Sequence, residues 1–113
     1  MAIIKSYTDL QQSKKLAEIL PLESADMYYV LIDTDEDKYD AGLGKYIGIL
    51  PHYPCWSLAA LLDVLPYPYI EQNYKGKWTC RVEHRNTTYL WEDSNPIDAC
   101  VAMVEKLHEL KLL

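Results

Sequence analysis

Apolar and polar positions recur along this chain with two different periods. Leu10, Leu16, Ala17 and Leu20 form an apolar stripe opposite Lys14, Lys15 and Glu18, which predicts a helix over Asp9–Leu20 stopped by Pro21. Thr8 or Asp9 stands where its cap belongs. Met27 to Ile32 is a continuous β-rich apolar run, the pattern of an inner strand. Asp33 to Gly44 then reads as an acidic loop, Tyr46 to Leu50 as a second short strand, and Pro51 and Pro54 as brackets of a turn. Ser57 to Leu65 predicts a short helix, apolar nearly all round and therefore buried, that ends at Pro66.

Three further strands follow, over Tyr69–Asn73, Lys77–His84 and Thr87–Glu92, with turn signals at Lys75-Gly76 and Arg85-Asn86. The middle one alternates, with Trp78, Cys80, Val82 and His84 on one face and Thr79, Arg81 and Glu83 on the other. The last helix carries Asn95 at its cap, Pro96 at the first helical position and Asp98 at the third. Ile97, Cys100, Val101, Val104 and Leu107 make its buried stripe. The order α-β-β-α-β-β-β-α predicts an α+β fold, a mainly antiparallel sheet of about five strands with two longer helices and one short helix. One domain over 1–113 suits the 113 residues.

Composition changes the picture at one point. The chain has ten tyrosines, three tryptophans and no phenylalanine, so every aromatic ring carries a polar handle. Such rings are enriched at interface cores. Tyr53, Trp56, Tyr67 and Tyr69 flank the short helix, and Tyr74 and Trp78 follow on the sheet. If these six converge, they line a groove for a partner or ligand, stiffened by Pro54, Pro66 and Pro68; otherwise they close the core. The formal net charge of −6 argues against a phosphate-binding surface and hence against direct nucleic-acid binding. It also admits an acidic decoy that mimics nucleic acid, provided the carboxylates gather along one face.

The candidate chemistry is thin. Asp33, Asp35 and Asp37 begin like an EF-hand loop, but Lys38 stands where glycine is required and Gly44 where a bidentate glutamate is required. Gly42, Gly44, Lys45 and Gly48 miss the spacing of both standard nucleotide loops. His52, Cys55, Cys80 and His84 are zinc-ligand types, yet Cys80 and His84 stand about 13 Å apart along a strand. Cys55 near His52 suggests a thiol–imidazole pair, the basis of a small thiol enzyme, against which stands the usual fate of a cysteine as a small buried apolar residue. No catalytic residue, metal or cofactor is assigned. The N-terminus, Met1 to Ser6, lacks the apolar segment of a signal peptide, and no stretch is long enough to span a membrane, so a cytoplasmic location is expected.

Gln12 to Met27, Pro54-Cys55-Trp56-Ser57-Leu58, and Asn95-Pro96 with Asp98-Ala99 together resemble uncharacterised small proteins of prophages and mobile elements in gut anaerobic bacteria. The resemblance implies a bacterial, cytoplasmic accessory protein and carries over no functional residue. The residues themselves lead first to a non-enzymatic interaction module that binds a protein partner, or itself, through its Tyr and Trp side chains.

Overall fold

The structure, a computed structural model, describes residues 5–113. Met1 to Ile4, most of the stretch on which the signal-peptide expectation rests, lie outside the described residues. The helices are α1 (Leu10–Leu16), α2 (Leu58–Val64) and α3 (Pro96–Glu109); a single 3-10 turn spans Leu22–Ser24. The strands are β1 (Met27–Asp33), β2 (Lys38–Leu43), β3 (His52–Cys55), β4 (Tyr69–Gln72), β5 (Trp78–His84) and β6 (Thr87–Asp93). The fold is α+β. Helices and strands succeed one another in the expected order, with six strands in place of about five, and they form two three-stranded antiparallel sheets, β2-β1-β3 and β4-β5-β6.

Each helix begins on the side-chain chemistry its sequence supplies. Asp9 caps α1 by accepting the Gln12 N–H, while the Gln12 side chain accepts the Asp9 N–H, a reciprocal capping box. Ser57 caps α2 by accepting from the Ala60 N–H, and its own hydroxyl donates to Asp26. Asn95 caps α3 by accepting from the Asp98 N–H, with Pro96 starting the helix. Regular helix in α1 stops at Leu16, short of the expected Leu20, yet Leu20 remains buried. In α2 only Ala60 and Leu61 are buried, and Ala59 and Asp63 face water.

The core joins α1, α2 and α3 to the inner face of the second sheet. Leu16, Leu61, Cys80, Val82, Ile97, Cys100, Met103, Val104 and Leu107 are all inaccessible there. The α3 stripe and the Cys80–Val82 face of β5 are thus the two halves of one interior. The first sheet lies to the side. Of its residues only Met27 and Cys55 are buried, and the rest are half-buried or exposed.

Three expectations need correcting in that first sheet. Lys38–Leu43, expected within a loop, is strand β2: its backbone pairs with β1, and Tyr39 and Ala41 alternate with the exposed Lys38 and Asp40 in a short period-two pattern that the acidic run before it masked. The acids before it serve the turn: Asp33 Oδ1 accepts the N–H groups of Asp35 and Glu36, and Asp37 takes a positive φ. Tyr46–Leu50, expected as a strand, forms no sheet pairing. Where a turn was expected between Pro51 and Pro54, His52–Cys55 is edge strand β3, in which Pro54 is tolerated because only one side is paired.

Candidate functional site

Strand alternation splits the first sheet into two faces. Tyr29 and Tyr53 lie opposite one another on one face and point toward α1. The Lys14 ammonium sits 5.0 Å from the Tyr53 ring centre and 5.9 Å from that of Tyr39. The Tyr29 hydroxyl donates to the Thr8 carbonyl at 2.8 Å. Burial pushes the Tyr29 hydroxyl pKa up from its usual value.

Tyr28, His52 and Pro54 occupy the other face, and there the chain makes a cavity. Gly42 stands opposite Tyr28 in the ladder, and a Cβ at Gly42 would run into the end of the Tyr28 ring. The ring lies flat across the sheet because position 42 has no side chain. Tyr46 comes down on it from the following loop, its ring centre 5.3 Å from that of Tyr28 and 4.7 Å from that of His52. The loop is tied at three points. Gly44 N–H donates to the Asp26 carbonyl, Leu31 N–H to the Pro51 carbonyl, and Leu50 N–H to the Tyr46 hydroxyl. The resulting half-open cavity measures about 310 Å³, walled by Leu22, Ala25, Met27, Tyr28, Tyr46 and Pro54. Glu23 and Lys45 supply one charge of each sign. On the loop itself Ile47 is 97% exposed and Ile49 100% exposed, with Leu43 and Leu50 also open to water.

None of the six aromatic residues singled out in the sequence lines this cavity. Trp56 is fully buried, its indole N–H donating to the Ser24 hydroxyl at 3.0 Å; it is a core residue and offers no surface, which corrects the expectation. Tyr53 belongs to the α1-facing side of the first sheet. Tyr69 stands on the outer face of the second sheet with the Arg81 guanidinium 4.7 Å above its ring. Tyr67, between two prolines, is exposed with a positive φ, Tyr74 is exposed at the β4–β5 turn, and Trp78 is half-buried at the start of β5. The structure thus disperses these six and builds its concave aromatic site from Tyr28, Tyr46 and His52. The signal that pointed to them was the glycine at 42 opposite a tyrosine in an apolar strand, legible only with the β1–β2 register in hand.

The thiol–imidazole pair does not form. His52 and Cys55 are three residues apart on β3 and so face opposite sides, His52 exposed against Tyr46 and Cys55 buried beside Thr8. Burial pushes the Cys55 thiol up from its usual pKa despite hydrogen bonds from Thr8 and Ser13, the reverse of an activated nucleophile. Cys80 and Cys100 meet in the core with their sulfurs 3.9 Å apart. Cys100 donates to Cys80, and this hydrogen bond, with burial, holds the Cys100 proton firmly. Among the described residues no group of three or more His, Cys, Asp or Glu side chains is placed to hold a metal ion. No described helix is long and apolar enough to cross a membrane. What the cavity offers is apolar wall, aromatic face and a charge of either sign, the equipment of a binding site. No protein-family model, curated protein or solved structure matches this chain.

Proposed function

We propose that this protein is a non-enzymatic interaction module whose docking surface is the Tyr28–Tyr46–His52 cavity and the apolar loop that closes it. One observation carries the reading. Ile47 and Ile49 stand wholly in water on a loop pinned at both ends, beside a cavity large enough for an aliphatic or aromatic side chain. Two β-branched aliphatics held outward by a tethered backbone gain nothing for the monomer; covering them on association removes apolar surface from water. The partner this suits is a protein segment that presents an apolar anchor to the cavity and an apolar surface to the loop. A cytoplasmic partner encoded by a bacterial host or by a mobile element accords with the resemblance noted in the sequence.

The test compares the wild-type protein with an Ile47→Asp/Ile49→Asp double variant as bait. Both residues are solvent-exposed, so the variant retains its fold, which circular dichroism checks. A protein retained by the wild type and lost by the variant is then purified and titrated calorimetrically. The expected result is at least about a tenfold weaker Kd for the double variant and for Tyr46→Ala, each tenfold being about 1.4 kcal/mol. Equal affinity for all three baits refutes the assignment of this surface.

A further inference from the structure

Two three-stranded sheets leave four edges, and three of them are blunted in recognised ways. Strand β2 carries Lys38 and Asp40. Strand β3 has four residues and contains Pro54, and the chain at Tyr7 and Thr8 runs beside its continuation at Trp56 and Ser57. Strand β4 has four residues and follows Pro66 and Pro68. Strand β6 differs from all of these. Its seven residues, Thr87 to Asp93, contain no proline or basic residue; its two charges, Glu92 and Asp93, stand together at one end, and the strand pairs with β5 in unbroken register without a bulge. On it Leu90 is 62% exposed and Trp91 43% exposed.

The backbone groups on that edge can be assigned. The Glu83 N–H donates to the Pro66 carbonyl, so Glu83 points away from β6. Its partner Thr88 therefore points away from β5, and by alternation so do Leu90 and Glu92. The two-residue Arg85-Asn86 turn, with both φ values positive, agrees, because it makes His84–Thr87 the hydrogen-bonded pair. The peptide groups of Thr88, Leu90 and Glu92 thus form an unpaired ladder.

We infer that β6 pairs antiparallel with β6 of a second copy of this chain about a two-fold axis at Leu90, joining the two β4-β5-β6 sheets into one continuous six-stranded sheet. This register follows from the residues. It pairs all seven positions and sets Leu90 against its own copy in a hydrogen-bonded pair. Thr88 then faces Glu92 and Thr87 faces Asp93, so each acid meets a hydroxyl and no two acids are opposed. On the inner face Tyr89 lies beside the partner's Trp91, a cross-strand aromatic pair. A shallow groove between Trp91 and the Ala102, Glu105, Lys106 and Glu109 side of α3 opens along the same edge, where the second copy continues the surface. An isologous contact of this kind closes on itself, so it yields a dimer rather than a fibre. With each chain at −6, the dimer tightens as salt screens the mutual repulsion.

Size-exclusion chromatography with light scattering tests this. The wild type is expected near twice 13.1 kDa at hundreds of micromolar, falling toward 13.1 kDa on dilution. Leu90→Lys places two ammonium groups at the axis and is expected to be monomeric throughout, with an unchanged circular dichroism spectrum. Leu43→Lys, on the β2 edge, leaves the dimer intact. Leu90→Cys brings two α-carbons to about 5.5 Å, within disulfide range, and is expected to crosslink between chains under air oxidation, whereas Thr79→Cys, one strand inward, does not. A wild type that stays monomeric at hundreds of micromolar overturns the inference. So does a dimer that survives Leu90→Lys or that only Leu43→Lys disrupts, and this second outcome would place the contact on the first sheet.

Discussion

Cys55 illustrates how a residue's chemistry is set by what surrounds it. In the chain it stands three positions from a histidine; in the fold it faces Thr8 and Ser13 inside the protein while His52 faces Tyr46 outside. Removal from water disfavours the thiolate, and the hydroxyls that partner the sulfur do not offset that loss. Cys80 and Cys100 are equally inaccessible. A thiol reagent such as Ellman's is therefore expected to find no fast-reacting group in the native protein at neutral pH and to titrate three thiols per chain after denaturation. Labelling of Cys55 at the rate of a free thiol would contradict its place in the core. Trp56 makes the same point for aromatic residues. Its indole N–H, the polar handle that suggested a surface role, is satisfied internally by Ser24.

Among elements, α1 and α3 are joined by a polar clamp as well as by the core. The Asp98 carboxylate accepts from Lys5 at 2.9 Å, from the Gln12 amide at 2.7 Å and from the Asn95 amide at 2.7 Å. Partial burial alone would raise the Asp98 pKa; together these three donors outweigh it and hold the carboxyl below its ordinary value of 3.8. The Lys5 ammonium, opposed by its own burial and favoured by Asp98 and Asp9, is held above 10.5. A depressed acid contributes stability above its ordinary pKa and loses it as pH falls through the folded value; a raised base does the converse at alkaline pH. Asp98→Asn is therefore expected to lower stability by about 1 kcal/mol across the neutral range, with the difference from wild type vanishing at acid pH. Urea unfolding at a series of pH values checks it, and a difference that persists at pH 2 would show that charge is not the cause. The clamp was half legible in the sequence. Asp98 was placed at a helix start, where an acid suits the dipole, but the reach of Lys5 and Gln12 to it from some ninety residues away was not.

For the whole molecule, the core cluster rests on the helices and one face of β5 and takes no residue from the first sheet, and this division governs dynamics. The core takes its apolar contacts from the helices and the β5 face, and the β1–β2 hairpin contributes only Met27 to the interior. Segments with few buried apolar contacts open locally at lower free energy than the global transition. Amides of β2 are expected to exchange orders of magnitude faster than those of β5 and α3 in native-state hydrogen exchange. Equal protection in the hairpin and in β5 would show that the protein unfolds as one unit. The same division explains where the proposed surfaces lie. The first sheet, outside the core cluster, carries the cavity and its exposed loop, whereas the second carries an edge strand in unbroken register.

The chain alone determined those elements in which local pattern and burial agree. Strand β5 showed a strict alternation because one of its faces is the core, and α3 showed cap, proline and stripe because its whole length rests on that core. The strands on either side of β5 were legible from the turn signals at Lys75-Gly76 and Arg85-Asn86, and so was the α+β class. In the first sheet the apolar run already marked β1 as an inner strand, and only the tertiary structure decided its neighbours. Lys38–Leu43 became a strand although only Lys38 to Ala41 alternate and the acids before them masked that short pattern, and Tyr46–Leu50 became the loop over the cavity because β2 and β3 occupy both sides of β1. The meeting of Tyr28, Tyr46 and His52 depends on that pairing. A ring's company is set by which strands lie side by side, and that arrangement is a property of the folded whole.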